Sequence, residues 1–297
     1  MAVDEAILDG VRSGVSPATL RLYAWEPPCF SLGYAQSAAD VDQAFLERAG
    51  WHLVRRPTGG RAILHTDELT YSVIGPPEDP RLAGSVLESY RCLSQALLLA
   101  LHILGIPAEA HERLPENPIR STSSRLPFSQ PHNPLTVNPV CFEVPSNYEI
   151  TVGGKKLVGS AQARRRNGVL QHGSLPLVGD LTRIVQALAL PGEAPAQPGE
   201  APTQPGEAPK LSGEAPAQSN SVRREAAERL LERATTVEMV SGKIITWEQA
   251  AQAYVQAFEE ALNLRLVPGA LSEFELQRAE TLRADKYGHP AWNLRRS

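Results

Sequence analysis

The stretch from Asn147 to Leu177 constrains this chain more than any other. It reads NYEITV, Gly153-Gly154, a run ending in KLVGSAQARR, Asn167-Gly168, and VLQHGSLPL. Gly-Gly and Asn-Gly are the dipeptides that supply the positive φ of tight hairpin turns. Three strands joined by two such turns make an antiparallel meander. Further short strands are expected at LRLYAW (Leu20–Trp25), HLVRR, RAILH and LTYSVIG. Helices are expected at Asp4 to Arg12, where Ala6, Ile7 and Val11 share a face, and at Ala39 to Ala49 and Ser85 to Leu104. Others are expected at Asp180 to Leu190, capped by Asp180, at Arg223–Arg233, at Trp247–Leu262 and near Ser272–Arg283. Strands grouped in hairpins, with helices between the groups, give an α+β fold rather than a doubly wound sheet.

Two segments break this pattern. Seven of the 25 prolines lie between residues 191 and 218, and six lie between 115 and 139. The second group sits in PENPIRSTSSRLPFSQPHNPLTVNP, a long Pro/Ser loop of the kind that serves as a lid or an excursion. The first belongs to a repeat, with GEAP recurring every seven residues at Gly192, Gly199, Gly206 and Gly213. Pro and Gly in every unit forbid helix, and few large apolar side chains are present to offset the ordering entropy. Residues 191–218 are therefore expected to be a disordered insert without chemistry. It would split a catalytic domain (1–190) from a helical part (219–297) that completes the same domain.

Composition excludes several classes of function. Lys and Arg number 29 against 33 Asp and Glu, a net charge of −4, which argues against a bulk nucleic-acid binder. Cys29, Cys92 and Cys141 are too few and too scattered for a disulfide framework, and no CxxC pair suggests zinc. Free thiols fit a reducing cytosol. No apolar run reaches the length of a membrane span. The longest, Ala96 to Ile106, is interrupted by His102 and reads as a buried helix. The acidic, amphipathic N-terminus is not a signal peptide. A cytoplasmic monomer with no membrane, nucleic-acid or metal partner is expected.

Chemistry has a short list of candidates. In RRPTGGRAILH, the Thr58-Gly59-Gly60 turn between two strands can expose N–H groups to an acyl carbonyl or a phosphate, although an ordinary Gly-rich turn has the same spacing. It is not a Walker loop. Two adjacent arginines, Arg55 and Arg56, usually mark a solvated edge. In KKLVGSAQ, a lysine leaning over Gly159, Ser160 and Ala161 would polarise a carbonyl or lower a thiol's pKa, whereas surface charge is the commoner role. A lone cysteine such as Cys141 in VNPVCFEVPS is more often inert than nucleophilic. Cys92 belongs to an apolar helix, and Cys29 is the rival nucleophile. His65 and His172 each have the chemistry of a general base. A G-x-S-x-G elbow is absent, so a serine hydrolase has no support.

Taken together, RRPTGGRAILHTDELTYSV, VCFEVPSNYEITVGGKKLVGSAQARRRNGVLQHGSLPL and KYGHPAWN (Lys286–Asn293) resemble the biotin/lipoate protein ligase superfamily, in the right order. The chain looks most like its cysteine-dependent octanoyltransferase branch, which loads the glycine-cleavage H protein. The resemblance implies a ligase-like catalytic domain with mixed and antiparallel sheets flanked by helices, and no cofactor. It assigns Cys141 as the acyl-accepting nucleophile and Lys156 as the active-site cation. It also implies a substrate-binding set of Arg56, Thr58, Gly59, Gly60, Arg61, Ala62, His65, Gly159, Ser160, Ala161, His172 and Gly173. The partners implied are octanoyl-acyl carrier protein as donor and a lipoyl domain such as the H protein as acceptor. Both are typically acidic. Arg164, Arg165 and Arg166 form one basic group that could meet them, and Arg55, Arg56 and Arg61 another. Burying an octanoyl tail would contribute ~5 kcal/mol at about 0.8 kcal/mol per methylene, with Ile63, Leu157 and Leu170 as candidate lining. Relatives generally carry a further N-terminal stretch with a strand, whereas this sequence opens on the first helix. The competing readings are an ATP-dependent lipoate-protein ligase, octanoyl transfer between lipoyl domains, and a non-enzymatic scaffold that binds acylated proteins. Retention of Cys141, Lys156 and the Gly59-Gly60 turn together argues against the scaffold.

Overall fold

The computed structural model describes residues 1–112, 148–190 and 217–295. The expected Pro/Ser loop, the GEAP repeat and Cys141 lie outside the described residues. The expected meander is present as β7 (Tyr148–Val152), β8 (Lys155–Arg165) and β9 (Gly168–Pro176). Its turns use Gly153 and Gly154 at φ 55° and 77°, and Asn167 at φ 63°. β1 (Thr19–Tyr23), β5 (Glu68–Gly75) and β6 (Glu109–Glu112) extend it to a six-stranded antiparallel sheet in the order β1-β5-β9-β8-β7-β6. A smaller sheet has β2 (Cys29–Leu32) between β3 (His52–Arg55), which is parallel to it, and β4 (Ile63–His65), which is antiparallel. The architecture is α+β.

Cross-strand register sorts the large sheet into two faces. Tyr71, Gly173 and Ser160 are partners across β5, β9 and β8, so they share one face. Tyr71 packs on Tyr254 and Phe258, which places this face under α7 (Trp247–Leu262) and α3 (Val86–Ile103). Ser85 and Glu88 start α3 with a capping box. The opposite face carries Ser72, His172 and Ala161 as one row, and Thr70, Ser174 and Gly159 as the next. One end of that face is sealed by α1 (Ala2–Arg12), whose Ile7, Leu8 and Val11 pack on Ile74 and Leu170. Leu170 is thus core beneath α1, and Leu157 belongs to the core shared with α3 and α7. Of the three apolar residues expected along an acyl channel, only Ile63 lines an open cleft. Among the described residues, no helix is long and apolar enough to cross a membrane.

Several elements differ from expectation for local reasons. The helix expected over 39–49 splits into a 3-10 turn at Ala38–Asp40 and α2 (Gln43–Ala49). The Asp42 carboxylate accepts from Phe45 N at 2.9 Å and restarts the helix. The helix expected over 180–190 shrinks to α4 (Arg183–Gln186), because Asp42 N and Ala189 N draw residues 187–189 into pairing with residues 40–42. Strand β2 was not anticipated. All four of its residues are buried between two neighbouring strands, so CFSL shows no alternation. The helix expected from Arg223 begins earlier, as α5 (Ala217–Arg233), and is followed by a short α6 (Val237–Ser241). Beyond α7, Ser272 caps α8 (Glu273–Leu282), and a brief π turn leads to α9 (Pro290–Asn293).

The largest correction concerns the arginine pair. Arg55 and Arg56 are 0% and 2% exposed, so neither is a solvated edge. The Arg55 guanidinium donates only to backbone carbonyls, those of Gly33, Tyr34, Gln36, Trp292, Asn293 and Arg295, at 2.5–3.3 Å. It pins the closing segment to the loop after β2. Arg164 is likewise turned inward, donating to Leu82 O, Ser85 O and Ser89 Oγ, while Arg165 and Arg166 stay exposed. Replacing Arg55 by Met strands several buried carbonyls at once. With each unsatisfied group costing about 1–3 kcal/mol, Arg55→Met is expected to lower unfolding free energy by at least ~3 kcal/mol, read from the urea midpoint.

Candidate active site

Beyond α1, the β8–β9 face around Gly159, Ala161, His172 and Ser174 borders a cleft closed on its far side by β4 and the Thr58-Gly59-Gly60 turn. Arg56, Gly60, His65, Gly159, Ser160, Ala161, His172 and Gly173, all singled out from sequence, line it together with Ile63, Thr70 and Ser174. Thr58 reaches it through its hydroxyl, 2.6 Å from His172 Nε2. Gly59 and Arg61 line a neighbouring open groove that shares Gly60 with the cleft. Ala62 is fully buried in the small-sheet core.

The turn is held by contacts that demand glycine and a long cation. A Cβ on Gly33 would stand 1.8 Å from Gly60 O, so the turn rests directly on backbone there. Gly60 itself has φ +94°. Arg56 ties the turn's carbonyls, donating to Gly59 O at 3.0 Å, Arg61 O at 2.5 Å and Ser31 O at 3.0 Å.

The two histidines are differently placed. His65 is locked on both nitrogens, with Nε2 2.7 Å from Ser31 Oγ and Nδ1 2.7 Å from Glu68 Oε1. Glu68 Oε1 also accepts from Ser174 Oγ and Thr70 Oγ1, and Trp25 stacks on the imidazole at 4.4 Å while donating to Thr70. His65 therefore acts as a rigid wall. His172 uses Nε2 with Thr58, and its buried Nδ1 has no hydrogen-bond partner among the described residues. Burial lowers its pKa below the ordinary value. The Asp4 carboxylate interacts with the imidazole and pulls the other way without reversing the shift. His172 is thus the imidazole that burial keeps neutral at pH 7.

Sequence reasoning missed Ser31, Trp25, Glu68, Thr70 and Ser174, which hold His65. Ser174 was within reach, because it falls two residues after His172 and so shares its face. Glu68 and Thr70 are near His65 along the chain, whereas Ser31 and Trp25 reach it only through tertiary packing.

Lys156 stands at the opposite end of β8 from Arg165, three residues before Gly159. It is 5% exposed, with Nζ 3.0 Å from Glu149 Oε1. Its neighbour Lys155 points elsewhere, donating to Leu231 O at 2.6 Å. The thiols separate as well. Burial pushes Cys29 up to about 12, and Cys92 is raised for the same reason. The rival nucleophile is thus a protonated core residue, packed with Ala6, Val54 and Tyr287.

The model of the lipoyl protein ligase A/B catalytic domain matches residues 1–259. The chain belongs to this family. It is similar over its whole length to two curated proteins named octanoyltransferase LipM. One, from Kyrpidia tusciae, is 38% identical with 94% of its length covered; the other, from Symbiobacterium thermophilum, is 37% identical with 93% covered. Among solved structures, the bipartite lipoate protein ligase of Thermoplasma acidophilum aligns with a TM-score of 0.71 at 22% identity, covering 100% of this chain and 91% of that one. A lipoate-protein ligase A bound with ATP aligns at 0.68 and 23%, covering 99% and 92%. These two alignments establish the fold.

The thiol environments predict an alkylation pattern. In the native protein at pH 8, iodoacetamide should leave Cys29 unmodified until denaturant is added, as read by peptide mass spectrometry. Cys29→Ala should retain full acyl transfer.

Proposed function

We propose that this chain is an octanoyltransferase of protein lipoylation. It moves octanoyl from acyl carrier protein, through a thioester on Cys141, to a lysine of a lipoyl domain such as the glycine-cleavage H protein. The observation that carries the reading is the full-length similarity, at 38% and 37% identity, to proteins named octanoyltransferase LipM. It is supported by the thiols of the described residues, both raised and neither at the cleft.

In the first step the Cys141 thiolate attacks the donor thioester carbonyl. The oxyanion that forms is stabilised by the Lys156 ammonium, and its collapse expels the carrier as a thiolate that takes up a proton from solvent. Thioester replaces thioester, so this step is near balance. In the second, the neutral amine of the acceptor lysine attacks the octanoyl-enzyme, an amide forms, and the Cys141 thiol is restored. The amine proton needs an acceptor, and a neutral imidazole such as His172 has the basicity for that task. The cleft walls of Ile63, Gly159, Ala161 and Gly173 supply the apolar contact for the acyl chain. Arg165 and Arg166, exposed at the β8–β9 turn, and Arg61 offer charge to acidic partners. Amide formation from a thioester is downhill, so neither step requires ATP.

Mixing the protein with octanoyl-acyl carrier protein, without ATP, should add the mass of one octanoyl group at Cys141. Cys141→Ser should abolish both this adduct and transfer to the acceptor. Strict dependence on ATP would favour the ligase reading, and association without a covalent adduct would favour the scaffold. We place residues 191–216 outside the chemistry. Replacing them with a short Gly-Ser linker is expected to leave the transfer rate unchanged, and a fall in rate would give the insert a part in it.

A further inference from the structure

Lys156 is held more closely than a surface lysine. Its peptide bridges Ala234 in parallel, its carbonyl accepts from Thr235 N at 3.1 Å, and its side chain is 6% exposed. On the neighbouring strand it lies opposite Thr151, and Glu149, two residues earlier on β7, brings its carboxylate to 3.0 Å from Nζ. The register slips between Ile150 and Thr151, a bulge of the kind that re-aims a side chain beside a site. Glu149 is itself 18% exposed on its side chain, so the pair is largely withdrawn from water.

We propose that Glu149 is a positioning residue for the acyl-transfer step, fixing where the Lys156 ammonium is held. The inference rests on the transferase reading above, in which Lys156 is the oxyanion's cation. Without the carboxylate the ammonium loses its hydrogen-bonded anchor, and its long stem regains rotamer freedom. Lys155 cannot substitute for it, because its ammonium is tied to the carbonyl end of α5. Glu149 touches neither donor nor acceptor in this scheme. Its part in the step is exerted through Lys156.

That last feature is what the experiment reads. Single-turnover acylation of the full-length protein by octanoyl-acyl carrier protein is followed by mass for wild type, Glu149→Gln, Lys156→Met and the double variant. Glu149→Gln is expected to slow acylation at saturating donor by roughly 10–100-fold, the size of a lost charge-assisted hydrogen bond, with little change in the donor concentration giving half the maximal rate. Glu149→Asp should recover part of the rate. In the double variant, Glu149→Gln should add nothing to the loss from Lys156→Met, since Glu149 has no role once the ammonium is gone. A structural role would instead make the two losses additive, and would overturn the proposal. Should Glu149→Gln fail to fold, Glu149→Asp alone and combined with Lys156→Met reads the same coupling. If Lys156→Met slows acylation and both Glu149 variants do not, Glu149 has no positioning role while the transferase reading stands. If neither Lys156→Met nor Cys141→Ser slows it, the transferase reading itself falls.

Discussion

One buried cation holds together the parts of the chain that meet around the cleft. Arg55 lies at the end of β3, and its guanidinium gathers carbonyls from the loop after β2 and from the closing segment at Trp292, Asn293 and Arg295. No carboxylate faces it among the described residues. Partial charges from backbone dipoles replace a counter-ion, and burial draws its pKa down from the ordinary arginine value without discharging it. The arrangement recurs one residue later, where Arg56 gathers the carbonyls of Ser31, Gly59 and Arg61. A glycine turn bound only to itself would sample many conformations. Seated on Gly33 and drawn in by Arg56, this one presents a fixed edge to the cleft.

The cleft inherits its two characters from the sheet that forms its floor. Toward Gly159 and Gly173 the wall is small and apolar, which suits a hydrocarbon. Behind it stands a saturated polar lattice of Ser31, His65, Glu68, Thr70 and Ser174, where nearly every donor finds an acceptor. Such a network rigidifies because breaking one member leaves another buried and unsatisfied. Rigidity there gives a cleft wall that is pre-organised rather than assembled on binding. Closing contacts from the C-terminus reinforce this. Lys286 and Tyr287 both donate to Glu5 on α1, and the Lys286 ammonium also lies 4.2 Å over the Trp292 ring.

The β7–β8–β9 meander was legible because its signals are local, with Gly-Gly and Asn-Gly turns and strands of definite length. The capped helices α3 and α7 were legible for the same reason. Ser85 with Glu88 and Thr246 with Gln249 close capping boxes within four residues. Strand β2 was not legible, since burial on both faces erases the alternation that marks a strand. The helix after Asp180 was over-extended, because pairing with residues 40–42 competes with helix there and is invisible along the chain. At the site, the Gly-rich turn and the lysine strand were found by motif. Their converging on one cleft with His65 and His172 was not readable from spacing.

The sequence alone determined what depends on near neighbours: the hairpins, the helix starts, the turn that needs glycine, and the residue types able to carry acyl transfer. Tertiary structure decided what depends on distant ones. It turned an apparently solvated arginine pair into buried pins, and it raised Cys29 out of the range of useful nucleophiles. It separated an imidazole held between Ser31 and Glu68 from one that burial keeps neutral, and it gave Lys156 rather than Lys155 the carboxylate. The reason is the same in each case. Charge state, tautomer and reactivity are set by desolvation and by partners a few ångströms away in space, and only the fold brings those partners together, whether they are seven residues apart, as Glu149 and Lys156 are, or more than a hundred, as Thr58 and His172 are.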